Sequence, residues 1–190
     1  VLTPEEKQKL RNGKFKVGIS FHYSGNAWTH LHETAIRNTL ENFGISVVSV
    51  SDARFDPELQ LTQLEALAMQ KPDLIIAIPV DDKVTSDKFR RLSRHSKLVF
   101  MSNVPEGLKK TEYCTCVSVN ESENGANIGD LMGEYFAGRN NIKAGFIMHG
   151  TPFYGTHLRD MSARQEIIDR YRNIDICAYG RFEAFEDAYE

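Results

Sequence analysis

Short apolar runs alternate along the chain with longer segments in which apolar residues recur every three or four positions. The runs lie at residues 17–21, 46–50, 74–80 and 98–101 and have the composition of buried parallel strands. The segments between them have the period of amphipathic helices. Strict alternation of this kind predicts a parallel sheet with helices on both of its faces.

Signals for helix ends agree with this interpretation. Gly44 follows the first long helix, where a left-handed C-terminal cap favours glycine. Asp56 and Pro57 fit the N-cap and the first position of the next helix, and a further helix is predicted near residues 86–94. On the first of these helices, the residues predicted to face the sheet are Leu31, Ala35, Ile36, Leu40 and Phe43.

The alternation resumes after a polar connector at residues 105–112. It predicts strands at 114–119, 143–148 and 176–179, a helix at 158–172, and an earlier helix that carries Ile128, Leu131, Met132, Tyr135 and Phe136. We therefore predict an N-terminal lobe at 1–104, a hinge or crossover segment at 105–116 and the start of an incomplete C-terminal lobe at 117–190. Both ends of the chain have the character of a longer product's interior.

The composition excludes several classes of protein. The 190 residues are 41% hydrophobic and 26% charged, as in ordinary globular proteins. A formal charge of −3 gives no electrostatic basis for binding nucleic acid. Apolar runs are strand-sized, well short of the roughly 18 residues of a membrane-spanning helix.

The sequence offers no motif for catalysis or for a metal. Cys114, Cys116 and Cys177 are odd in number and unevenly spaced, which argues against a disulfide framework and a zinc site, and their role stays open. The histidines form no HExxH pair, and the chain has no GxSxG elbow. We therefore predict a protein that is not an enzyme and needs neither metal nor cofactor.

The turn after the first strand, residues 22–28, is the leading candidate for a ligand site. It shares an edge with residues 52–56, 81–82 and 102–103, because carboxyl ends of parallel strands meet on one side of a sheet, where open α/β folds bind ligands. The turn lacks GxGxxG and GxxxxGK[ST], so no phosphate cradle is present. These features favour a small polar, sugar-like ligand.

Individual residues at this edge have candidate roles. Trp28 offers a ring that can stack on a sugar, and Asn26 an amide for vicinal hydroxyls. His22 and Tyr23 are adjacent polar aromatics, one of which could face the ligand while the other packs. Asp81 could accept hydroxyl protons or cap the following helix. For Trp28 and Asn26 the alternatives are packing on the lobe and ordinary turn chemistry.

Five ordered blocks resemble the type 1 periplasmic sugar-binding proteins of ABC transporters, in their ribose-binding-like branch, and the related LacI-type repressor cores. The blocks are Val17-Gly-Ile-Ser with Ser24-Gly-Asn-Ala-Trp28, Asp56-Pro57 with Gln60, Gln63 and Leu64, the run 71–81, the run 119–125, and Leu158-Arg-Asp160. The resemblance implies a Rossmann-like three-layer α/β/α fold of two lobes, with the ligand in the cleft between them. It also implies that a truncated chain binds ligand weakly. Because the second run of strands is too short to bury its sheet, we also expect the chain to associate with itself.

The resemblance also implies site residues in both lobes. Ser102 and Asn103 stand where ribose binders carry an Asp-Arg pair, so ribose itself is disfavoured while Asn103 still offers an amide. In the second lobe, Arg159 matches the first of two family arginines, and Met161 replaces the second. Tyr154, in the loop before that helix, and Phe185, as a stacking aromatic, are the other candidates.

The function that the resemblance implies is solute binding for an ABC transporter. The ligand would be a sugar or polyol, the partner a membrane permease, and the location the periplasm or the outer face of a bacterial cell. The alternative is the effector-binding core of a LacI-type transcription regulator, which would need a DNA-binding segment longer than residues 3–11.

Overall fold

The computed structural model describes residues 2–150 and 154–182. The chain divides into two compact units, Val1–Ser118 and Val119–Glu190, each with its own sheet. In both units strands and helices alternate, as the sequence predicts.

The first unit is built on a five-stranded sheet whose paired strands all run parallel, in the order β2-β1-β3-β4-β5. This arrangement confirms the predicted doubly wound architecture, with its topological switch point beside β1. The elements are α1 Pro4–Gly13, β1 Lys16–Phe21, α2 Ala27–Glu41, β2 Ser46–Asp52, α3 Pro57–Met69, β3 Leu74–Ala77, α4 Ser86–Leu92, β4 Lys97–Met101 and β5 Thr115–Val117.

Helices cover both faces of this sheet. On one face, Leu64 of α3 and Phe89 of α4 pack with Phe100 of β4. On the other, residues of β1 such as Ile19 pack with Leu40 of α2. Because both faces are covered, β1 is buried at every position after Lys16, as a central parallel strand should be.

The predicted helix signals lie at helix ends. Asp56 caps α3 by accepting from the backbone N–H groups of Glu58 and Leu59, at 2.9 and 3.1 Å. Gly44 has φ +68, the left-handed conformation that glycine adopts without strain. The Asp56 contacts explain why α3 begins at Pro57, and Gly44 lies in the turn that follows the end of α2.

The third strand is shorter than predicted, ending at Ala77 rather than at residue 80. Pro79 has no N–H to donate to a ladder, so regular pairing stops there. The Ile78 N–H still donates to the Ser20 carbonyl at 2.9 Å. The segment that follows therefore stays beside β1 although it is no longer a strand.

The strand predicted at 114–119 belongs to the first sheet. It spans Thr115–Val117 and pairs with β4, Val99 lying opposite Thr115. The first compact unit therefore extends through Ser118. The lobe boundaries expected from the sequence remain predictions.

The second unit consists of α5 Glu121–Tyr135, β6 Ile142–His149, α6 Tyr154–Arg170 and β7 Ile174–Phe182. Strands β6 and β7 form a two-stranded parallel sheet, and its core contains Ala144, Ile167 and Ile174. Helices α5 and α6 touch closely at Gly125, where an added Cβ would lie 2.2 Å from the Arg159 carbonyl oxygen. Helix α6 begins before its predicted range of 158–172 and also ends before it does. Strand β7 extends beyond its predicted range of 176–179 at both ends.

Several apolar residues predicted to pack inward are exposed instead. Leu31 of α2 is 67% exposed, and so is Leu131 of α5, with Ile128 and Tyr135 on the same helix also exposed. The period of a helix identifies its apolar stripe but not the part of that stripe that a neighbour covers. Within the described residues, none of the helices is both long and apolar enough to cross a membrane.

Candidate functional site

The loops after β1, β2, β3 and β4 are neighbours at one edge of the first sheet, as predicted. Between the first two, the Ser24 hydroxyl donates to Asp52 Oδ2 at 2.7 Å. Between the last two, the Asn103 amide donates to Asp82 Oδ1. The parallel register of the strands thus brings side chains far apart in sequence onto one polar edge.

An aromatic cluster lies at the end of β1. The Tyr23 ring stacks on Phe55, with centroids 4.8 Å apart and planes 15° apart, and His22 meets the same ring edge-on at 5.3 Å. His22 is only 7% exposed, so it packs within the unit, whereas Tyr23 is half-buried. His22 is therefore the more buried of the two, and a contact of either ring with a ligand stays a prediction.

Phe55 belongs to this aromatic cluster, and the sequence reasoning did not name it. Its φ is +59, a left-handed conformation that bulky residues rarely adopt, and its N–H donates to the His22 carbonyl at 2.8 Å. The strained backbone places the ring beneath Tyr23. Such strain held in a ligand-side loop is typical of functional sites.

Trp28 lies on the first turn of α2 and is 47% exposed. Its ring centroid is 3.9 Å from that of His32, whose Nδ1 lies 2.7 Å from the Trp28 carbonyl oxygen. One side of the indole thus has an imidazole as neighbour. A half-exposed indole remains suited to stacking on a sugar ring, so its ligand role stays a prediction.

Asn26 caps the N-terminus of α2. Its Oδ1 accepts from the Thr29 N–H at 2.8 Å and from the Thr29 hydroxyl at 2.6 Å. The turn chemistry given as the alternative is therefore present. Since these bonds use the carbonyl oxygen, the part of Asn26 suited to a ligand is its amide NH₂ group.

The two adjacent acids after β3 have different partners. Asp81 is exposed, and its Oδ1 accepts from the backbone N–H groups of Lys83 and Val84, both at 2.8 Å. Asp82 is half-buried and accepts from Asn103, which is only 7% exposed. Burial raises the pKa of Asp82, the hydrogen bond from Asn103 opposes that rise, and the charges of Asp81 and Glu106 add to it.

Gln60 joins strand β1 to the segment that follows β3. Its side chain is fully buried and donates to the Ser20 hydroxyl at 3.1 Å and to the Ile78 carbonyl at 2.9 Å, while Oε1 accepts from Val80 N–H at 2.9 Å. A neighbouring residue, Gln63, donates to the Asp52 carbonyl at 2.7 Å. The sequence shows that both glutamines follow the N-cap of α3, but it does not predict their hydrogen-bond partners.

In the second unit, Arg159 forms a two-pronged ion pair with Glu121, at 2.8 and 2.9 Å. The hydrogen bond from Arg159 lowers the pKa of Glu121, and the same contact raises the pKa of Arg159. The predicted ligand role of Arg159 therefore competes with this pair. Tyr154 is 48% exposed at the start of α6, and Phe185 lies outside the described residues.

The second unit has a cavity of about 110 Å³ between α6 and the ends of β6 and β7. Its charged or titratable lining consists of His149, His157, Asp160, Arg164, Tyr179 and Arg181. Burial raises the pKa of Asp160, while the nearby positive groups act in the opposite direction. Among the described residues, no three His, Cys, Asp or Glu side chains converge as a metal site would require.

The first sheet, with polar and aromatic loops at the carboxyl ends of its strands, has the doubly wound α/β architecture. A family profile described as periplasmic binding protein domain matches residues 17–190. The chain therefore belongs to the periplasmic binding protein family. Its fold is the type 1 fold of that family, as the sequence resemblance implied.

Solved structures with the same fold include sugar-bound proteins. One is a carbohydrate transporter solute-binding protein from Agrobacterium radiobacter in complex with D-arabinose, with 12% identity, 88% of this chain and 57% of that chain covered, and a TM-score of 0.77. Another is the periplasmic binding protein component of the arabinose ABC transporter from Shewanella sp. ANA-3, which is 21% identical. That alignment covers 88% of this chain and 55% of the Shewanella chain, with a TM-score of 0.77.

A third such structure is the Caulobacter myo-inositol binding protein bound to myo-inositol, which is 15% identical. That alignment covers 92% of this chain and 58% of the Caulobacter chain, with a TM-score of 0.79. At these identities the likeness establishes the fold. The chain spans little more than half the length of each of these proteins. No curated protein matches the chain, and nothing in the comparisons favours the LacI-type alternative.

Proposed function

We propose that this chain is part of the solute-binding component of an ABC transporter and that its ligand is a sugar or a sugar-like polyol. The observation that carries the proposal is the polar, aromatic edge of the first sheet in a chain of the periplasmic binding protein family. The sugars and the cyclitol named for the similar structures agree with it.

The proposed site binds by stacking and by hydrogen bonds, with no covalent chemistry. Trp28 and Tyr23 supply rings that cover the apolar C–H face of a sugar, and the Asn26 amide donates to a hydroxyl. Residues of the second unit, Arg159 and Tyr154 among them, would contact the other side of the ligand. Binding energy then comes from desolvated rings and from leaving few sugar hydroxyls unpaired.

The rest of the proposal follows from this role. The protein is not an enzyme, works in the periplasm or on the outer face of a bacterial cell, and delivers its ligand to a membrane permease. Closure of two lobes around the ligand would signal the loaded state to that permease. We also propose that lobe boundaries follow the predicted segments, with the hinge at 105–116.

Calorimetric titration of the full-length gene product with L-arabinose, D-galactose and myo-inositol tests the proposal. We expect saturable binding of at least one of them, and a loss of about tenfold or more in Trp28→Ala, because a stacked ring contributes about 0.5–1.5 kcal/mol beyond its buried area. Leu31→Ala is the matched control, since it truncates an exposed apolar residue one turn further along α2. Equal loss in both variants would contradict the stacking role.

A further inference from the structure

Trp28 and His32 form a close ring pair on the first two turns of α2. Their ring centroids lie 3.9 Å apart and their planes 32° apart, so the imidazole lies against one face of the indole. Among the described residues, no other ring contacts Trp28. Because Trp28 is 47% exposed while His32 is half-buried, the imidazole is the inner member of the pair.

The helix that carries both rings explains why they meet. Residues four positions apart lie on the same side of a helix, and helical side chains lean toward its N-terminus. The His32 ring is therefore directed over the turn that carries Trp28. The start of α2 is itself fixed, since Asn26 Oδ1 accepts from the N–H and the hydroxyl of Thr29, which is 1% exposed.

A hydrogen bond holds the imidazole in this position. His32 Nδ1 lies 2.7 Å from the Trp28 carbonyl oxygen. Since a carbonyl oxygen only accepts, Nδ1 carries a proton, and Nε2 is the nitrogen that takes up a second proton when the ring becomes charged. The bond is therefore present in both states of the ring, and His32 is fixed by the backbone of the residue on which it stacks.

Few charges from neighbouring elements lie near this end of α2. The helix packs with α1 and β1–β4 around one core, and α1 meets its opposite end, where Arg11 approaches Gly44. The charged or titratable groups on the four strands and on the first three turns of α2 are Lys16, Asp52, Lys97, His30, Glu33 and Arg37.

Most of these groups have other partners or lie elsewhere. Lys16 and Lys97 begin their strands, at the edge opposite the start of α2. Asp52 accepts from the Ser24 hydroxyl, and Glu33 pairs with Arg37 at 2.7 Å. In the loop before α2, His22 and Tyr23 contact Phe55. Within the described part of the chain His32 forms no ion pair, so the indole is the neighbour that senses its charge.

A ring that is already held in place favours stacking on a ligand. Ordering a mobile side chain during binding weakens affinity by a factor of about three to ten. An indole that is fixed before the ligand arrives avoids most of that loss. The imidazole also covers one indole face, which leaves the opposite face for the C–H groups of a sugar.

We propose that His32 is a positioning residue of the ligand site, which holds the Trp28 indole in one orientation so that a sugar or cyclitol stacks on its opposite face. This inference rests on the proposed function and on the role of Trp28 within it. His32 itself does not touch the ligand. Its effect on binding passes through the indole.

A double-mutant cycle tests the proposal, by calorimetric titration of the full-length protein with L-arabinose, D-galactose and myo-inositol. For a ligand that the wild type binds, His32→Ala should weaken affinity about three- to tenfold. In the Trp28→Ala background the same substitution should change affinity by less than about twofold. His32→Phe keeps a ring beside Trp28 and should come within about twofold of the wild type. His30→Ala, at an exposed position of the same helix, is the control and should match the wild type.

Nuclear magnetic resonance of the same protein without ligand reads the ring contact itself. The indole resonances of Trp28 are identified by their loss in Trp28→Phe. In the wild type and in His30→Ala they should shift between about pH 8 and pH 5, where histidine gains its charge. In His32→Phe, which cannot titrate, they should stay constant.

The outcomes separate this role from the proposed function. Wild-type binding with an unchanged His32→Ala variant, or an equal loss in both backgrounds of the cycle, would overturn the positioning role and leave the proposed function standing. Indole resonances that ignore pH in the wild type, or that still shift in His32→Phe, would overturn the ring contact. Absence of wild-type binding to all three ligands would overturn the proposed function and the positioning role together.

Discussion

Replacing Gln60 by leucine should strongly destabilise the first unit. Gln60 is fully buried and makes three hydrogen bonds, to Ser20, to the Ile78 carbonyl and from the Val80 N–H. Leucine has a similar volume, so the effect comes from lost hydrogen bonds rather than from a cavity. Each buried partner left unsatisfied costs about 1–3 kcal/mol. Since water can reach the half-buried Val80, we expect a total loss of about 3–5 kcal/mol.

That loss is a large part of the roughly 5–15 kcal/mol that stabilises a typical domain. Urea unfolding followed by circular dichroism measures it through the midpoint of the transition. Gln8→Leu is the matched control, because Gln8 makes one exposed hydrogen bond, to Asn12 on α1, and should change stability by less than about 0.5 kcal/mol. A Gln60→Leu protein within about 1 kcal/mol of the wild type would refute the claim that this side chain anchors the loops.

Two further predictions concern the second unit. The pKa of Glu121 is lowered in the folded state, so its contribution to stability is present above the unfolded pKa and is lost as pH falls through the lower folded value. Glu121→Gln should therefore flatten the decline of stability between about pH 5 and pH 2 in acid-unfolding curves, and an unchanged slope would argue against the Arg159 pair. Gly125→Ala should cost more than about 2 kcal/mol in thermal unfolding, because its Cβ would meet the Arg159 backbone at 2.2 Å. Gly145→Ala, whose Cβ would meet nothing closer than 3.6 Å, is the control, and equal melting of the two variants would contradict the packing argument.

The sheet and its binding edge could be predicted from sequence because both depend on local patterns. Apolar runs mark buried strands, and signals such as Asp56-Pro57 and Gly44 mark helix ends. Once the strands are parallel, geometry alone brings their carboxyl ends together. The contacts of Ser24 with Asp52 and of Asn103 with Asp82 lie at the edge where that rule brings the loops together.

The partners of individual side chains could not be predicted in this way. Two adjacent acids look equivalent in sequence, but the direction of the chain after Pro79 turns Asp81 to its own turn and Asp82 to Asn103. Phe55 lies in a loop with a left-handed backbone conformation, which no local sequence motif predicts. Helical period likewise predicted an inward Leu131, which is 67% exposed, because coverage depends on neighbours distant along the chain.

Native mass spectrometry of the full-length protein, purified without added sugar, tests the central claim most directly. We predict a bound neutral solute with the mass of a monosaccharide or cyclitol, which is displaced when L-arabinose, D-galactose or myo-inositol is added in excess. Retention should fall in Trp28→Ala. A protein that carries no small molecule and gains none from the three added ligands, or that retains a nucleotide or peptide instead, would contradict the account.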